Sequence, residues 1–135
     1  MTGHGRSMIR DAAFALAGLF VLAGAALADE IELLMFEQPG CVYCAQWNAE
    51  IAPIYELAPE GQAAPLHRVL LSDSLPEGVE IDRPVTFTPT FVLTLDGIEQ
   101  DRIEGYPGEH FFWPLLQRMI DGAEAQVEAT EEEEA

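Results

Sequence analysis

The chain contains no lysine, and its six arginines stand against 24 acidic residues over 135 positions, a formal net charge of −18. From Asp29 onward only Arg68, Arg83, Arg102 and Arg118 oppose 23 carboxylates, a net charge of −19. A surface of that sign repels phosphate backbones and anionic headgroups, which excludes nucleic acid as a partner and acidic lipid as a platform. Cysteine is as scarce: there are two, Cys41 and Cys44, three positions apart. Beyond residue 28 the histidines are His67 and His110, each alone, so the sequence argues against a four-ligand zinc site. Both read as surface histidines. No internal repeat is visible, and Asp29 to Ala135 has the size of one domain with a single modest core.

Long apolar runs are also few. Ala12 to Leu27 is an uncharged stretch of 16 residues, shorter than the roughly 20 needed to span a bilayer. Arg6 and Arg10 precede it, and Ala26-Leu27-Ala28 closes it with a small-x-small pattern. Residues 1–28 therefore read as a cleavable secretory signal peptide, cut after Ala28, with an uncleaved anchor as the alternative.

The remainder alternates in type. Ile31 to Phe36 has strand length and ends at the Pro39-Gly40 breaker. Helical spacing then places Cys44, Asn48, Ile51 and Tyr55 on one stripe, widened by Ala45, Trp47, Ala52 and Ile54, with Pro53 expected to bend or divide the helix. Pro59 to Pro65 reads as loop, Leu66 to Leu71 as strand, and Ser72 to Pro89 as loop with room for one short helix. Thr90 to Leu95, Asp96-Gly97 and Ile98 to Glu104 predict a β-hairpin. A closing helix carries Phe111, Phe112, Leu115, Leu116, Met119 and Ile120, with Pro114 requiring a late start or a kink, and is expected to stop near Gly122. Ala123 to Ala135, with its four consecutive glutamates, reads as a solvated, disordered tail.

Two cysteines at i and i+3, the first opening a helix, form a disulfide that another thiol can reopen. The unpaired N–H groups and positive dipole end of the helix stabilise a thiolate at Cys41, making it the expected attacking sulfur and Cys44 the resolving one. A purely structural disulfide is the rival reading, but so small a ring removes only about 2 kcal/mol of unfolded-state entropy. Two unrelated core thiols are a second rival.

With Thr88-Pro89-Thr90-Phe91 directly before the hairpin, the chain resembles the thioredoxin superfamily. The stretches PGCVYC, IAPIY, RPVTFTPTFVL and RIEGYPGEHFFW are similar to the small periplasmic thioredoxins, SoxS type, of bacterial sulfur-oxidation systems, over roughly Ile31 to Ile120. The resemblance implies an α/β thioredoxin-like fold, a central mixed sheet of about four strands flanked by helices. It implies a cis-proline at Pro89 that, with Thr88, shapes the substrate groove beside the redox-active disulfide Cys41–Cys44. It implies a monomeric periplasmic thiol–disulfide oxidoreductase, acting as a reductase on protein disulfides, a Sox sulfur-carrier complex among them. A membrane thiol transporter would supply its electrons. No dissociable cofactor or metal is expected.

This chain departs from the general pattern in three places. Val42-Tyr43 separates the cysteines, Gly40 stands where thioredoxins carry tryptophan, and Met35 stands where they carry a buried acid. Glu37 is the nearest carboxylate in sequence and reads as a solvated strand end. Tyr106-Pro107-Gly108 either lines the disulfide's surroundings or is a plain turn. A glutaredoxin-like enzyme, a disulfide-forming oxidase, or a non-catalytic copper or persulfide carrier are the alternatives. The glutaredoxin reading is weakened because the arginines lie outside the motif and Gly105-Tyr-Pro-Gly108 replaces the expected glutathione-binding segment.

Overall fold

The computed structural model describes residues 29–135, so the expected signal peptide lies outside the described residues. Strand β1 (Ile31–Glu37) is followed by helices α1 (Val42–Glu50), α2 (Ala52–Tyr55) and α3 (Pro59–Ala63), then β2 (Leu66–Leu70). The hairpin β3 (Thr90–Leu95) and β4 (Ile98–Glu104) and helix α4 (Glu109–Glu134) complete the chain. The sheet order is β2-β1-β3-β4, with β2 parallel to β1 and the other pairs antiparallel. This is the mixed four-stranded α/β sheet that the sequence implies.

Strand β1 is central and buried on both faces, which is why Leu33-Leu-Met-Phe36 is continuously apolar rather than alternating. Leu33 and Met35 join Phe91, Leu93 and Ile103 under all the helices, packing on Cys44, Trp47, Ile51, Tyr55, Phe112 and Leu116. Leu34, Phe36, Val69 and Val92 point the other way and are covered by Val79, Ile81 and Val85 of the 71–89 connection. One face is thus roofed by helices and the other by a loop without a helix. The loop pairs through Glu80 with Ile98, and the buried Glu99 carboxylate accepts from the Asp82 N–H at 2.7 Å and from Arg102 Nε at 2.6 Å.

The hairpin forms as its sequence predicts. Asp96 (φ 53°) and Gly97 (φ 84°) both take positive φ, and a Cβ on Gly97 would lie 2.2 Å from the Gly78 carbonyl oxygen. Pro53 lies in the first turn of α2, so the helical run divides at Ile51 as expected.

Three expectations are corrected. Pro59 to Pro65 is not plain loop: Pro59 starts the short helix α3, where a missing N–H costs nothing, and Gly61 lets it close on Tyr55, since a Cβ there would sit 1.7 Å from the Tyr55 oxygen. Of the two alternatives for Pro114, the late start does not occur: α4 begins at Glu109, with Gly108 accepting from the Phe111 and Phe112 N–H groups, and Pro114 lies inside it. Nor does α4 stop near Gly122. It runs to Glu134, and the 123–135 stretch is helical rather than disordered. Ala123 is buried, and Val127 continues the stripe of Phe112, Leu116, Met119 and Ile120. Ala, Gln and Glu are strong helix formers, which offsets the roughly 1 kcal/mol that an interior glycine costs.

Candidate active site

Strand β1 ends at Glu37, and the Pro39-Gly40 turn, with Gly40 at φ 77°, brings Cys41 to the N-cap of α1. The side chain of Cys41 accepts from the Cys44 N–H at 3.1 Å, satisfying one of the orphan donors of the first turn. The two sulfurs are bonded, S–S 2.08 Å, with Cα atoms 5.2 Å apart. Their environments differ. Cys44 is 4% exposed within the main core, whereas Cys41 is partly exposed at its edge.

Thr88–Pro89 is a cis peptide bond, as the resemblance implies. Pro89 is buried, its carbonyl accepts from the Gly105 N–H at 2.7 Å, and Thr90 Oγ1 donates to the Phe87 carbonyl at 2.7 Å. Gln38 Nε2 donates to Thr88 Oγ1 at 2.8 Å, tying the turn before Cys41 to the residue before the proline. Two open clefts flank this end of the sheet. One, of about 360 Å³, lies among Tyr43, Phe87, Thr88, Glu104 and Gly105. The other, of about 420 Å³, is bordered by Cys41, Cys44, Glu37 and Asn48. Val42, Tyr43 and Phe87 are 75%, 59% and 61% exposed, so the rim of the site is apolar on a molecule whose charge is almost all negative.

Some residues that the sequence left open are now placed. Met35 is fully buried on the same face as Cys44, so no acid lies at that position of the strand. Glu37, the last residue of β1 and partly exposed, borders the cysteine cleft and accepts from Arg68 Nη1 at 2.6 Å. Arg68 also donates to Asn48 Oδ1 at 2.7 Å and lies 5.4 Å from the Trp47 ring centroid. Arg68 is distant from the motif in sequence yet stands beside it in space. Only the parallel pairing of β2 with β1, which puts Arg68 opposite Met35, reveals this.

Tyr106 is buried in the cluster that holds Cys44, and its hydroxyl donates to Glu50 at the end of α1. Burial, and then that carboxylate, push the phenol well above its ordinary range, while the same bond holds Glu50 below the usual carboxylate value. His67 and His110 are exposed. Among the described residues no group of three His, Cys, Asp or Glu side chains could hold a metal. No helix among them is long and apolar enough to cross a membrane.

Residues 22–120 match the family described as a thioredoxin-like domain. The crystal structure of the periplasmic thioredoxin SoxS from Paracoccus pantotrophus, in its reduced form, is 63% identical, with a TM-score of 0.68, over 70% of this chain and 99% of that one. A thioredoxin of Malassezia sympodialis aligns over 68% of this chain and 76% of its own at 18% identity, with a TM-score of 0.48 too low to carry any argument. No curated protein sequence matches.

Proposed function

Because this chain belongs to the thioredoxin-like family and is a thiol–disulfide oxidoreductase, we propose that Cys41 is its attacking sulfur and Cys44 its resolving one. The observation that carries the assignment is their asymmetry: Cys41 caps α1 at the surface and Cys44 lies behind it in the core. The reduced Cys41 thiolate, stabilised by the helix N-terminus, attacks a substrate disulfide and forms a mixed disulfide, releasing one substrate thiolate. Cys44 then attacks Cys41 Sγ, releasing the second thiolate and closing the Cys41–Cys44 bond. Thr88 borders the groove in which the substrate chain lies, with Pro89 buried behind it and Tyr43 and Phe87 as apolar walls.

The 63% identity to a periplasmic thioredoxin supports a periplasmic location and the reducing direction, with a Sox carrier protein among the substrates and a membrane thiol transporter as donor. No bound cofactor enters these steps, and the enzyme acts as a monomer. The test is to mix the reduced Cys44→Ser variant with a disulfide-containing protein such as insulin. A covalent adduct through Cys41 is expected to accumulate, with turnover lost. Full turnover by that variant would contradict the division of roles and favour a carrier in which either thiol suffices.

A further inference from the structure

The antiparallel ladder between β1 and β3 pairs Met35 with Phe91 and Phe36 with Thr90, and there it ends. In that register the next residue on the β3 side is Pro89, which has no N–H to donate, and the one before it, Thr88, falls opposite Gln38. The two segments are joined once more at that point, by side chains instead of backbone: Gln38 Nε2 donates to Thr88 Oγ1 at 2.8 Å. The Thr88 N–H and carbonyl form no hydrogen bond among the described residues, so the backbone there stays open.

Gln38 belongs to the turn that presents the disulfide. Its carbonyl accepts from the Cys41 N–H at 3.3 Å, and it borders the cleft of about 420 Å³ that holds Cys41 and Cys44. Thr88 borders the cleft of about 360 Å³ that holds Tyr43 and Phe87. The segment that delivers Thr88 has little else to fix it, since Pro84, Thr86 and Phe87 are exposed. Its upstream ties, the Asp82 N–H to Glu99 at 2.7 Å and the Arg83 carbonyl to Arg102 at 2.9 Å, end at Arg83. Downstream, the Phe87 carbonyl accepts from the Thr90 hydroxyl at 2.7 Å, a bond to β3 and not to the disulfide turn. Among the described residues, Gln38 to Thr88 is the hydrogen bond that joins the disulfide turn to this segment.

Resting on the assignment of Cys41 and Cys44 above, we propose that Gln38 is a positioning residue that selects extended polypeptide disulfides over small ones. Its side chain holds Thr88 beside the disulfide turn in place of the ladder bond that Pro89 cannot make. The Thr88 backbone is thereby aligned yet left free to pair with an extended segment of the substrate. A Thr88 segment fixed in advance does not have to be ordered by the incoming chain, which favours its binding. A disulfide without a peptide chain reacts at Cys41 and draws nothing from that alignment.

The experiment compares insulin with 5,5′-dithiobis(2-nitrobenzoate), a disulfide that carries no peptide. The readout is the ratio of kcat/KM for insulin reduction sustained by dithiothreitol to the rate constant for reaction of the reduced protein with the small disulfide. Gln38→Ala should lower that ratio about fivefold, what one hydrogen bond of ordinary net strength supplies, through a higher KM for insulin with kcat kept. Thr88→Val should lower it by as much, and the double variant by no more than either, because both changes remove the same bond. Thr88→Ser, which keeps the hydroxyl, should keep the ratio. A ratio that does not fall in Gln38→Ala, a fall carried by kcat, losses that multiply in the double variant, or a loss in Thr88→Ser equal to that in Thr88→Val each overturns the proposal. Should the unsubstituted protein reduce neither disulfide, the redox assignment itself is wrong and this inference goes with it.

Discussion

Arg102 and Glu99 form the most buried ion pair among the described residues, with side chains 5% and 1% exposed. Burial raises the Glu99 pKa, but the Arg102 hydrogen bonds, the Asp82 N–H and the arginine charges outweigh it and hold the carboxyl below its ordinary value. A depressed folded value means that its stabilisation is complete above the unfolded value near 4.3 and is lost as pH falls through the folded one. Glu99→Gln should therefore flatten the decline of stability below about pH 4, measured by urea unfolding across pH. Glu99→Ala leaves the buried Arg102 with only the Arg83 carbonyl at 2.9 Å and the Glu104 carboxylate at 3.8 Å, and should cost about 3 kcal/mol at pH 7. A loss under about 1 kcal/mol would mean that water replaces the partner. What could be read in sequence at this scale follows separation along the chain. Cys41, Cys44 and Pro89 are legible because their chemistry sits in short motifs. The Glu37–Arg68 contact spans 31 positions and the Tyr106–Glu50 contact 56, and neither residue type announces its partner.

At the scale of elements, the hairpin was legible because Asp96-Gly97 demands positive φ at both positions, whatever surrounds it. The ends of helices were not. Gly122 and the glutamates suggest a stop to local reasoning, yet Ala123 and Val127 find the rest of the domain and carry α4 onward. The cleft bordered by Asp29, Ile31, Val127 and Glu128 marks where that extension meets the start of β1. Truncation after Glu128 should leave the melting temperature within about 2 °C, since Ala129 to Ala135 are exposed. Truncation after Gly122 should lower stability by about 1–2 kcal/mol through loss of the Ala123 and Val127 methyl groups. Equal melting temperatures for the two truncations would show that the extension does not pack. The 71–89 loop was equally hidden, because Val79, Ile81 and Val85 roof one sheet face from a segment that forms no helix and only the single Glu80–Ile98 bridge.

For the whole molecule, three of the four arginines beyond residue 28 are engaged in ion pairs, leaving the carboxylates far in excess. Partners with basic surfaces around their cysteines should be steered toward the apolar rim formed by Val42, Tyr43 and Phe87. Reduction of a basic protein disulfide should slow several-fold between about 0.01 and 0.5 M salt, as the Debye length contracts from about 30 Å to a few ångströms. A rate independent of salt would remove charge from the account of partner choice. Fold class was legible at this scale because element order and the CxxC-to-proline arrangement converge on one topology. The allocation of every helix to one face was not, since β1 is apolar toward both.

The central claim is that Cys41 and Cys44 form a redox pair that donates electrons. Its most direct test is the equilibrium reduction potential of that pair, obtained by titration in thiol–disulfide buffers with quantification of free thiols. A value of about −270 to −200 mV is predicted, in the range of thioredoxins and glutaredoxins. A value near −120 mV, in the range of strong disulfide donors, would contradict the claim and reverse the direction of the reaction.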